Sequence, residues 1–464
     1  MKYVIVGSGP TGLSLAYFLA EAGKEVIVIE KFNQLGGSWN MQWKEDKYFS
    51  ENSPRVLFYN GNAKKFLQKI GIHENKLHNI YGNFFETNIK IFKFLYNNFS
   101  FYDFYLFTFA SIRFKLYKQN ITLQSWMNSS NLSSAAKKAI KILSITLCDR
   151  PDKTNVTDFF GSIQLSEPVK QMKNPNEWYE YIEKNCNIKF LKNCNVLKLI
   201  NKGNIITSLL YENNNKIFEI KGSYQDKFFL CTQSDGILPI LANSSNIVKS
   251  NWKPFNEMKI WSENTYYDSF GFQLHFSEKI DFNDQWCWNC IGDWNIIILP
   301  VSNWLHKQSK DPNVKTTWSC CIVDKNTKSS FLKKSVNDCN IIDTIIKESL
   351  RQLNIDRKNV YKITISTEVE RKNKKWVGKN TGFTQNTYGL LNMKGNINNL
   401  FALGCFTPQH QSTIANFNMA VNSSVLYLKK YEPSLAPKEQ LNFIFPFLFI
   451  FLFVLIFCLQ NLKK

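Results

Sequence analysis

The order of apolar and polar residues at the start of the chain predicts a strand, a helix and a second strand. Residues Tyr3–Val6 form one short apolar run, and Glu25–Ile29 form another. Between them, apolar residues recur at the spacing of one helix face, at Leu13, Ala16, Leu19 and Ala20. Two strands joined by a helix are the unit from which parallel sheets are built. We therefore expect an α/β fold.

Farther along, the hydrophobic pattern changes twice. Residues 63–170 are mostly helical in spacing and rich in aromatic side chains. This favours the core of a helical cap over its two alternatives, a lining for an apolar substrate channel or a helix on a membrane surface. Asn176–Cys186 predicts an amphipathic helix, and Ile188–Ile200 predicts two short strands. From Asn251 to Trp376, short alternating segments predict an antiparallel sheet.

A glycine motif fills the turn between the first strand and the first helix. It consists of Gly7, Ser8, Gly9, Pro10, Thr11 and Gly12. In GxGxxG motifs, the first glycine permits a tight turn, the second lets the backbone approach a pyrophosphate, and the third lets the helix pack closely on the strand. Glu30 ends the second strand, where a carboxylate accepts hydrogen bonds from ribose hydroxyls. Together these features predict a Rossmann-like dinucleotide-binding domain.

The segment after Glu30 indicates which dinucleotide to expect. It runs through Lys31 to a glycine pair and the two residues that follow it, Gly36, Gly37, Ser38 and Trp39. This segment resembles the second flavin fingerprint of the superfamily of flavin amine oxidases, protoporphyrinogen oxidases and phytoene desaturases. The resemblance implies FAD as the cofactor, with the glycine pair lying against it.

The next segment, Ser50–Val56, resembles the part of that superfamily that runs under the isoalloxazine ring. Arg55 would there balance negative charge on a reduced flavin. A surface ion pair is the alternative role for Arg55.

Later segments resemble the parts of that superfamily that return to the nucleotide-binding domain. Val196 and the pair Cys231–Thr232 match positions of the adenine pocket and its neighbouring strand, with plain sheet core as the alternative role. Gly404 matches a strand end that meets the ribityl chain, and Cys405 stands where that superfamily usually has an acid. Phe417 begins a helix whose positive N-terminal end would face the flavin pyrimidine.

Composition and charge narrow the class of protein. The chain has 464 residues, 44% of them hydrophobic, and a formal net charge of +20. Its lysines are scattered along the whole length rather than gathered into one stripe, which argues against nucleic acid as a partner. The 11 cysteines show no paired spacing and the sequence begins without a secretory signal pattern, so reduced thiols are expected.

Two cysteine pairs, Cys287/Cys290 and Cys320/Cys321, leave a zinc site open as a possibility. We favour buried sheet cysteines, because the residues around both pairs have the pattern of strands. No histidine spacing supports a catalytic metal. His275 and Lys307 fall in the same predicted sheet, where we expect structural or solvent-facing roles.

An uncharged apolar run, Phe443–Leu459, lies near the end of the sequence between Lys438 and the pair Lys463–Lys464. Its length is close to the lower limit for crossing a bilayer, and it is apolar around every helix face. It predicts a C-terminal transmembrane helix acting as a tail anchor, with the catalytic domain facing the cytosol. A buried core helix is the alternative.

No second GxGxxG is present, so electrons are expected to come from a small-molecule substrate rather than from a built-in NAD(P)H domain. The preferred function is oxidation of an amine or similar donor by hydride transfer to flavin N5, with oxygen or another acceptor reoxidising the flavin. The alternatives are a desaturase or oxidase of a lipid, isoprenoid or porphyrin, and a non-catalytic flavin-fold membrane scaffold. Covalent flavin attachment in the superfamily uses a cysteine that Lys375–Thr384 lacks, which implies non-covalent FAD.

The predicted fold class is therefore a discontinuous Rossmann-like FAD-binding domain with an α+β substrate domain and a C-terminal transmembrane helix. Along the chain, segments of the FAD-binding domain are expected to alternate with segments of the substrate domain, followed by the linker and the anchor. They are the FAD-binding parts 1–62, 171–250 and 385–431, the helical cap 63–170, the antiparallel sheet 251–384, the linker 432–442 and the tail anchor 443–459.

Overall fold

The structure is a computed structural model of the whole chain. The residues that it describes are 1–51, 57–80, 93–117, 119–147, 149–162, 169–265, 269–280, 290–305, 309–367, 369–378, 389–408 and 416–437.

The centre of the fold is a parallel sheet of five strands in the order β20-β12-β1-β2-β8. Its strands are β1 (Lys2–Val6), β2 (Glu25–Ile29), β8 (Lys189–Leu191), β12 (Lys227–Leu230) and β20 (Leu400–Ala402). The strands come from three separated stretches of sequence, because long connections leave the sheet and return to it. This arrangement confirms the predicted Rossmann-like α/β fold.

Each face of this sheet is covered by a hydrophobic core, as a parallel sheet requires. Tyr3 and Ile5 of β1 point into one core, and Val4 and Val6 point into the other. Helices from distant parts of the chain cover both faces. Beneath the second core lies an antiparallel sheet in the order β11-β10-β9, with strands β9 (Asn195–Lys202), β10 (Ile205–Asn213) and β11 (Lys216–Lys221).

A second large sheet is antiparallel, with the strand order β14-β15-β16-β13-β17. Its strands are β13 (Phe270–Phe276), β14 (Cys290–Ile291), β15 (Ile296–Leu299), β16 (Thr316–Ile322) and β17 (Lys362–Ile365). It lies in the region where the alternating pattern predicted one, and we call it the substrate sheet. Smaller sheets are formed by β3 (Gln42–Lys44), β4 (Tyr48–Ser50), β5 (Leu57–Phe58), β6 (Leu77–Asn79), β7 (Val169–Met172), β18 (Val369–Lys372) and β19 (Lys375–Gly378).

The described α-helices are Pro10–Glu21, Gly61–Lys69, Phe101–Leu116, Leu123–Ser129, Ser134–Leu147, Val156–Ser162, Glu177–Asn185, Ser234–Ala242, Asn246–Lys249, Phe255–Asn264, Ile342–Gln352 and Phe417–Tyr431. We call Pro10–Glu21 the first helix, Phe101–Leu116 the aromatic helix and Phe417–Tyr431 the last helix. The helix Gly61–Lys69 falls largely in the stretch expected to form the cap. It packs instead in the core of the parallel sheet, because Ala63, Phe66 and Leu67 point into that core.

The aromatic helix and three helices that follow it form a separate helical layer around their own core. Among the residues that the structure describes, none of the helices is both long and apolar enough to cross a membrane. The predicted anchor Phe443–Leu459 lies outside the described residues and stays a prediction.

Candidate functional site

The glycine motif forms the turn at the carboxyl end of β1. Gly7 has a φ of +99°, a conformation that side chains of L-residues rarely adopt. A Cβ on Gly12 would lie 2.0 Å from the carbonyl oxygen of Gly7, so only glycine lets the first helix approach the turn this closely. A Cβ on Gly9 would meet nothing within 4 Å. The turn is therefore tightly packed at Gly7 and Gly12 and open at Gly9.

Gly9 is also the N-cap of the first helix. It has no side chain to accept hydrogen bonds from the first turn, and Pro10 and Thr11 are buried in that turn. The backbone N–H groups at this end therefore face the open space beside Gly9 without competition from a capping side chain. A helix N-terminus of this kind binds phosphate groups.

Glu30 ties this turn to the end of β2. One oxygen of its carboxylate accepts hydrogen bonds from the backbone N–H of Ser8 at 2.9 Å and from the Ser8 hydroxyl at 2.6 Å. The other accepts from the backbone N–H of Phe32 at 3.0 Å. A carboxylate has about four acceptor positions, so these three bonds leave room for a ribose hydroxyl. Lys31 is exposed beside this carboxylate.

The predicted second fingerprint lies directly against the glycine motif. The Gly36 N–H donates to the Ser8 carbonyl at 3.0 Å. A Cβ on Gly37 would lie 3.0 Å from the Cα of Gly9, and Gly37 has a φ of +56°. Ser38 is partly exposed beside it. The glycine motif of residues 7–12 and the glycine pair of residues 36–37 therefore form one continuous backbone surface.

Trp39 and Phe417 close the far side of that surface. Their rings lie 4.8 Å apart, centroid to centroid, in an edge-on arrangement. Phe417 is fully buried, and its ring also contacts Trp178 at 5.3 Å. The Phe417 side chain thus holds the last helix in the core. Any contribution of Phe417 to a cofactor comes from its backbone at the start of the helix.

Two serine hydroxyls that the sequence analysis did not single out attach the last helix to the turn and to Gly404. Ser424 donates to the Thr11 carbonyl at 2.8 Å, and Ser14 donates to Ser424 at 3.0 Å. Ser423 accepts from the backbone N–H of Gly404 at 3.0 Å. These bonds bring Gly404 and the N-terminal turn to the same helix. The signal in the sequence was only a pair of small polar residues within a helical pattern.

Cys405 follows Gly404 and is partly exposed. Its thiol donates to the Asn416 carbonyl at 3.7 Å, at the N-cap of the last helix. Burial raises the pKa of the Cys405 thiol to about 12, although this hydrogen bond opposes the change. Cys405 is therefore neutral near pH 7, at the position where the resemblance leads one to expect an acid.

The adenine-pocket positions also gather at this end of the sheet. Val196 is buried in β9 and shares a core with Val6 and Ile29. Thr232 lies beside the turn, since a Cβ on Gly7 would be 3.0 Å from its methyl group. The Thr232 hydroxyl is buried and makes no hydrogen bond with the residues that the structure describes. Cys231 lies in the core of the parallel sheet, where burial strongly raises its pKa.

The segment predicted to run under the isoalloxazine begins at Ser50 and Glu51. The backbone oxygen of Glu51 accepts hydrogen bonds from Ser366 at 2.7 Å and from the Gln273 amide at 3.2 Å. Arg55 lies outside the described residues, and its proposed role stays a prediction. The substrate sheet therefore holds the start of this segment in place.

A line of buried side chains continues from Gln273 into the substrate sheet. The Thr364 hydroxyl donates to Gln273 at 3.0 Å and lies 3.2 Å from Nε2 of His275. Nδ1 of His275 lies 3.2 Å from the Thr317 hydroxyl. Burial, with a smaller contribution from the charge of Lys362, lowers the pKa of His275 to about 4. His275 is a neutral structural side chain, while Lys307 lies outside the described residues.

Cys320 and Cys321 alternate between the two faces of β16. Cys320 packs with Phe272, and Cys321 packs with Phe49 in a different core. Adjacent residues of a strand point in opposite directions, so this pair cannot bind one metal ion together. Within the described ranges, no group of His, Cys, Asp or Glu side chains has the geometry of a metal site. Cys287 lies outside those ranges.

Comparisons with known proteins agree with this geometry. Residues 5–70 match the family model described as NAD(P)-binding Rossmann-like domain. The L-amino-acid oxidase of Sistrurus catenatus edwardsii is 33% identical over 96 residues, which are 21% of this chain and 17% of that protein. The match thus spans about a sixth of the relative's length.

Solved structures match over nearly the whole chain. An oxidoreductase from Methanosarcina mazei aligns with a TM-score of 0.60 at 13% identity, covering 92% of this chain and 100% of that one. Cyclohexylamine oxidase from Brevibacterium oxydans aligns with a TM-score of 0.57 at 9% identity, covering 94% of this chain and 98% of that one. This chain has the fold of the FAD-dependent amine oxidases. At these identities the likeness shows the fold alone.

The residues of this amine oxidase fold fit an FAD molecule at three points. The space beside Gly9 admits a phosphate group against the backbone, because no described residue other than its neighbours in the chain comes within 4 Å of the missing Cβ. The carboxylate of Glu30 keeps one acceptor position. The buried Thr232 hydroxyl has no hydrogen-bond partner among the described residues and lies next to the same turn. Of the seventeen predicted cofactor residues, the structure brings the glycine segments, Glu30, Gly404 and Cys405 to one end of the parallel sheet.

Proposed function

We propose that the protein is an FAD-dependent oxidoreductase that oxidises an amine or similar donor. When bound, FAD accepts two electrons from the donor at N5, and oxygen or another acceptor then reoxidises it. The observation that carries this proposal is the continuous surface formed by Gly9 and Gly37 at the N-terminus of the first helix. An amine oxidase fold surrounds this surface.

Different residues of the chain would bind different parts of FAD. The first helix and Gly9 would bind the pyrophosphate, and Glu30 would bind the adenosine ribose. Val196 and Thr232 would border the adenine. The substrate sheet, through the hydrogen bonds of Gln273 and Ser366 to the Glu51 carbonyl, would position the segment beside the flavin ring.

Cys405 sets this chain apart from the superfamily pattern. A neutral thiol cannot act as the charged acceptor that an acid would provide for a ribityl hydroxyl. The chain would therefore hold FAD mainly through its pyrophosphate and adenosine ends. Non-covalent attachment and a membrane-anchored location with the catalytic domain facing the cytosol are parts of the same proposal.

The test begins with the absorbance spectrum of the full chain purified in mild detergent. Flavin bands near about 375 and 450 nm should be present, and after acid precipitation they should leave with the supernatant. Bands that stay with the pellet would refute non-covalent attachment. A colourless protein that does not take up added FAD would refute the oxidoreductase proposal.

The matched variant is Gly9→Leu. Gly9 has a φ of −69°, which any residue adopts, and the space around it is open, so the variant should fold normally. Its side chain would fill the space proposed for the pyrophosphate. We expect normal thermal unfolding without FAD but loss of the flavin bands. Retention of the bands would show that FAD binds elsewhere.

Substrate class is tested by anaerobic addition of donors to the yellow protein. Bleaching at 450 nm, about the position of the flavin band, by amines or amino acids supports the proposed reaction. Bleaching by lipids, isoprenoids or porphyrins instead would assign the desaturase alternative. A flavin that no donor bleaches would favour the scaffold.

A further inference from the structure

The aromatic helix is held rigidly by its N-terminus and its inner face. Ser100 and Asp103 form a reciprocal capping box at its start. The Asp103 carboxylate also accepts hydrogen bonds from the backbone N–H and hydroxyl of Ser133, at 2.7 and 2.8 Å. On the inner face, Phe107 and Phe114 pack in the core of the helical layer. The orientation of the helix is therefore fixed.

The outer face of the same helix is apolar. Its large side chains, each between 43% and 72% exposed, are Phe101, Tyr102, Tyr105, Phe109, Ile112 and Leu116. Most of them are separated by three or four positions, so they form one stripe about 22 Å long at the rise of an α-helix. Tyr117 extends the stripe past the end of the helix and is 69% exposed.

The stripe is as large as the largest apolar patch that a typical soluble monomer exposes, which covers about 300–600 Å². At about 200 Å² for each aromatic side chain, the four aromatic residues of the helix alone expose about 480 Å². Contiguous patches of this size mark sites that bind a protein, a ligand or a membrane. The stripe also differs from a substrate channel, because it lies on the outer side of its layer.

The charge of the residues near the stripe indicates which of these partners it binds. Residues 93–118, which are the aromatic helix and its flanks, contain four Lys or Arg residues and one acidic residue, Asp103. Asp103 is buried and its carboxylate is bonded within the helical layer. Arg113 is exposed on the helix itself. The charged residues of this helix and its flanks are therefore mostly basic, and a second copy of the same face would meet like charge.

We propose that the outer face of the aromatic helix docks on the surface of a lipid bilayer that contains anionic headgroups. Aromatic and aliphatic side chains on one face with basic residues around them are the pattern of helices that lie in the membrane interface. Tyrosine is suited to this depth, because its ring is apolar and its hydroxyl stays hydrated. This face would hold the body of the protein against the membrane independently of the predicted anchor.

The experiment places a benzophenone amino acid at Phe109 in the full chain. The matched control carries the same group at Tyr224, which is 73% exposed in the loop before β12. Both variants are incorporated into vesicles of phosphatidylcholine and phosphatidylserine and illuminated. Mass spectrometry then identifies what is attached to each position.

We expect phospholipid attached at position 109, at least about fivefold more than at position 224 as befits an interfacial helix. Vesicles without phosphatidylserine should give less attachment at position 109. Attachment to a peptide from residues 443–459 would overturn the proposal by showing that the chain covers its own stripe. Attachment to a second copy, or equal lipid attachment at both positions, would also overturn it.

Discussion

His275 makes the stability of the substrate sheet depend on pH. The imidazole is fully buried between the hydroxyls of Thr317 and Thr364, and its pKa is lowered from 6.5 to about 4. The unfolded chain therefore binds a proton at this position at higher pH than the folded chain. The folded state keeps its full stability above pH 6.5 and loses stability as the pH falls from 6.5 towards 4.

The size of the effect follows from the two pKa values. Between pH 7.5 and 4.5, protonation of His275 in the unfolded chain should remove about 2.5 kcal/mol from the free energy of unfolding. In His275→Gln this loss should be absent. The variant should begin less stable by about 1 kcal/mol at pH 7.5, because one threonine loses its partner. Because the loss of about 2.5 kcal/mol exceeds the initial difference of about 1 kcal/mol, the two stability curves should cross as the pH falls.

The assay is urea unfolding of the full chain in mild detergent, followed by tryptophan fluorescence across this pH range. His78 also has a lowered pKa, caused mainly by burial, but it is present in both proteins. The wild type and His275→Gln should therefore differ in how steeply the free energy of unfolding changes with pH, and this difference reports His275 alone. His73→Gln removes an exposed imidazole and serves as the control. A wild-type slope retained in His275→Gln would refute this account of the substrate sheet.

Three further predictions concern the turn and its surroundings. Gly12→Ala would place a Cβ 2.0 Å from the Gly7 oxygen, so we expect a loss of at least about 1–3 kcal/mol in thermal unfolding experiments, with Gly9→Ala unchanged. Glu30→Gln weakens the charge-assisted bonds from Ser8, so FAD affinity in equilibrium dialysis should fall about tenfold; an unchanged affinity would show that Glu30 does not contact the ribose. Cys405 should resist iodoacetamide at about pH 8 in the folded chain, since burial raises its pKa to about 12. Rapid labelling of Cys405, mapped by mass spectrometry, would contradict the claim that burial keeps its thiol protonated.

The sequence predicted the parts of the fold whose causes are local. The turn from Gly7 to Gly12 depends on backbone contacts within six residues, and the strands on either side have continuous apolar runs. Most of the helix Gly61–Lys69 was expected in the cap, but it packs against the parallel sheet. This error also has a physical reason. Its amphipathic pattern shows that one face is buried but does not show which core receives it.

The site was predictable only where residue type and spacing were sufficient. The hydroxyl of Ser424, which joins the last helix to the turn, left no local signal because its partners lie about 400 positions away. The line from Gln273 to His275 likewise depends on the register of β13, β16 and β17. Neither strand pairing nor the partner of a hydroxyl can be derived from a single sequence.

The attachment of the last helix to the turn has a consequence for biosynthesis. Ser424 and Thr11 are 413 positions apart. At a synthesis rate of about 5–20 residues per second, the N-terminal turn waits about 20–80 s on the ribosome before its closing partner emerges. During that time the turn lacks the strand and helix that complete its surroundings. A nascent chain that has not yet reached Ser424 lacks this hydrogen bond, so we expect it to hold FAD less tightly than a chain that includes the last helix.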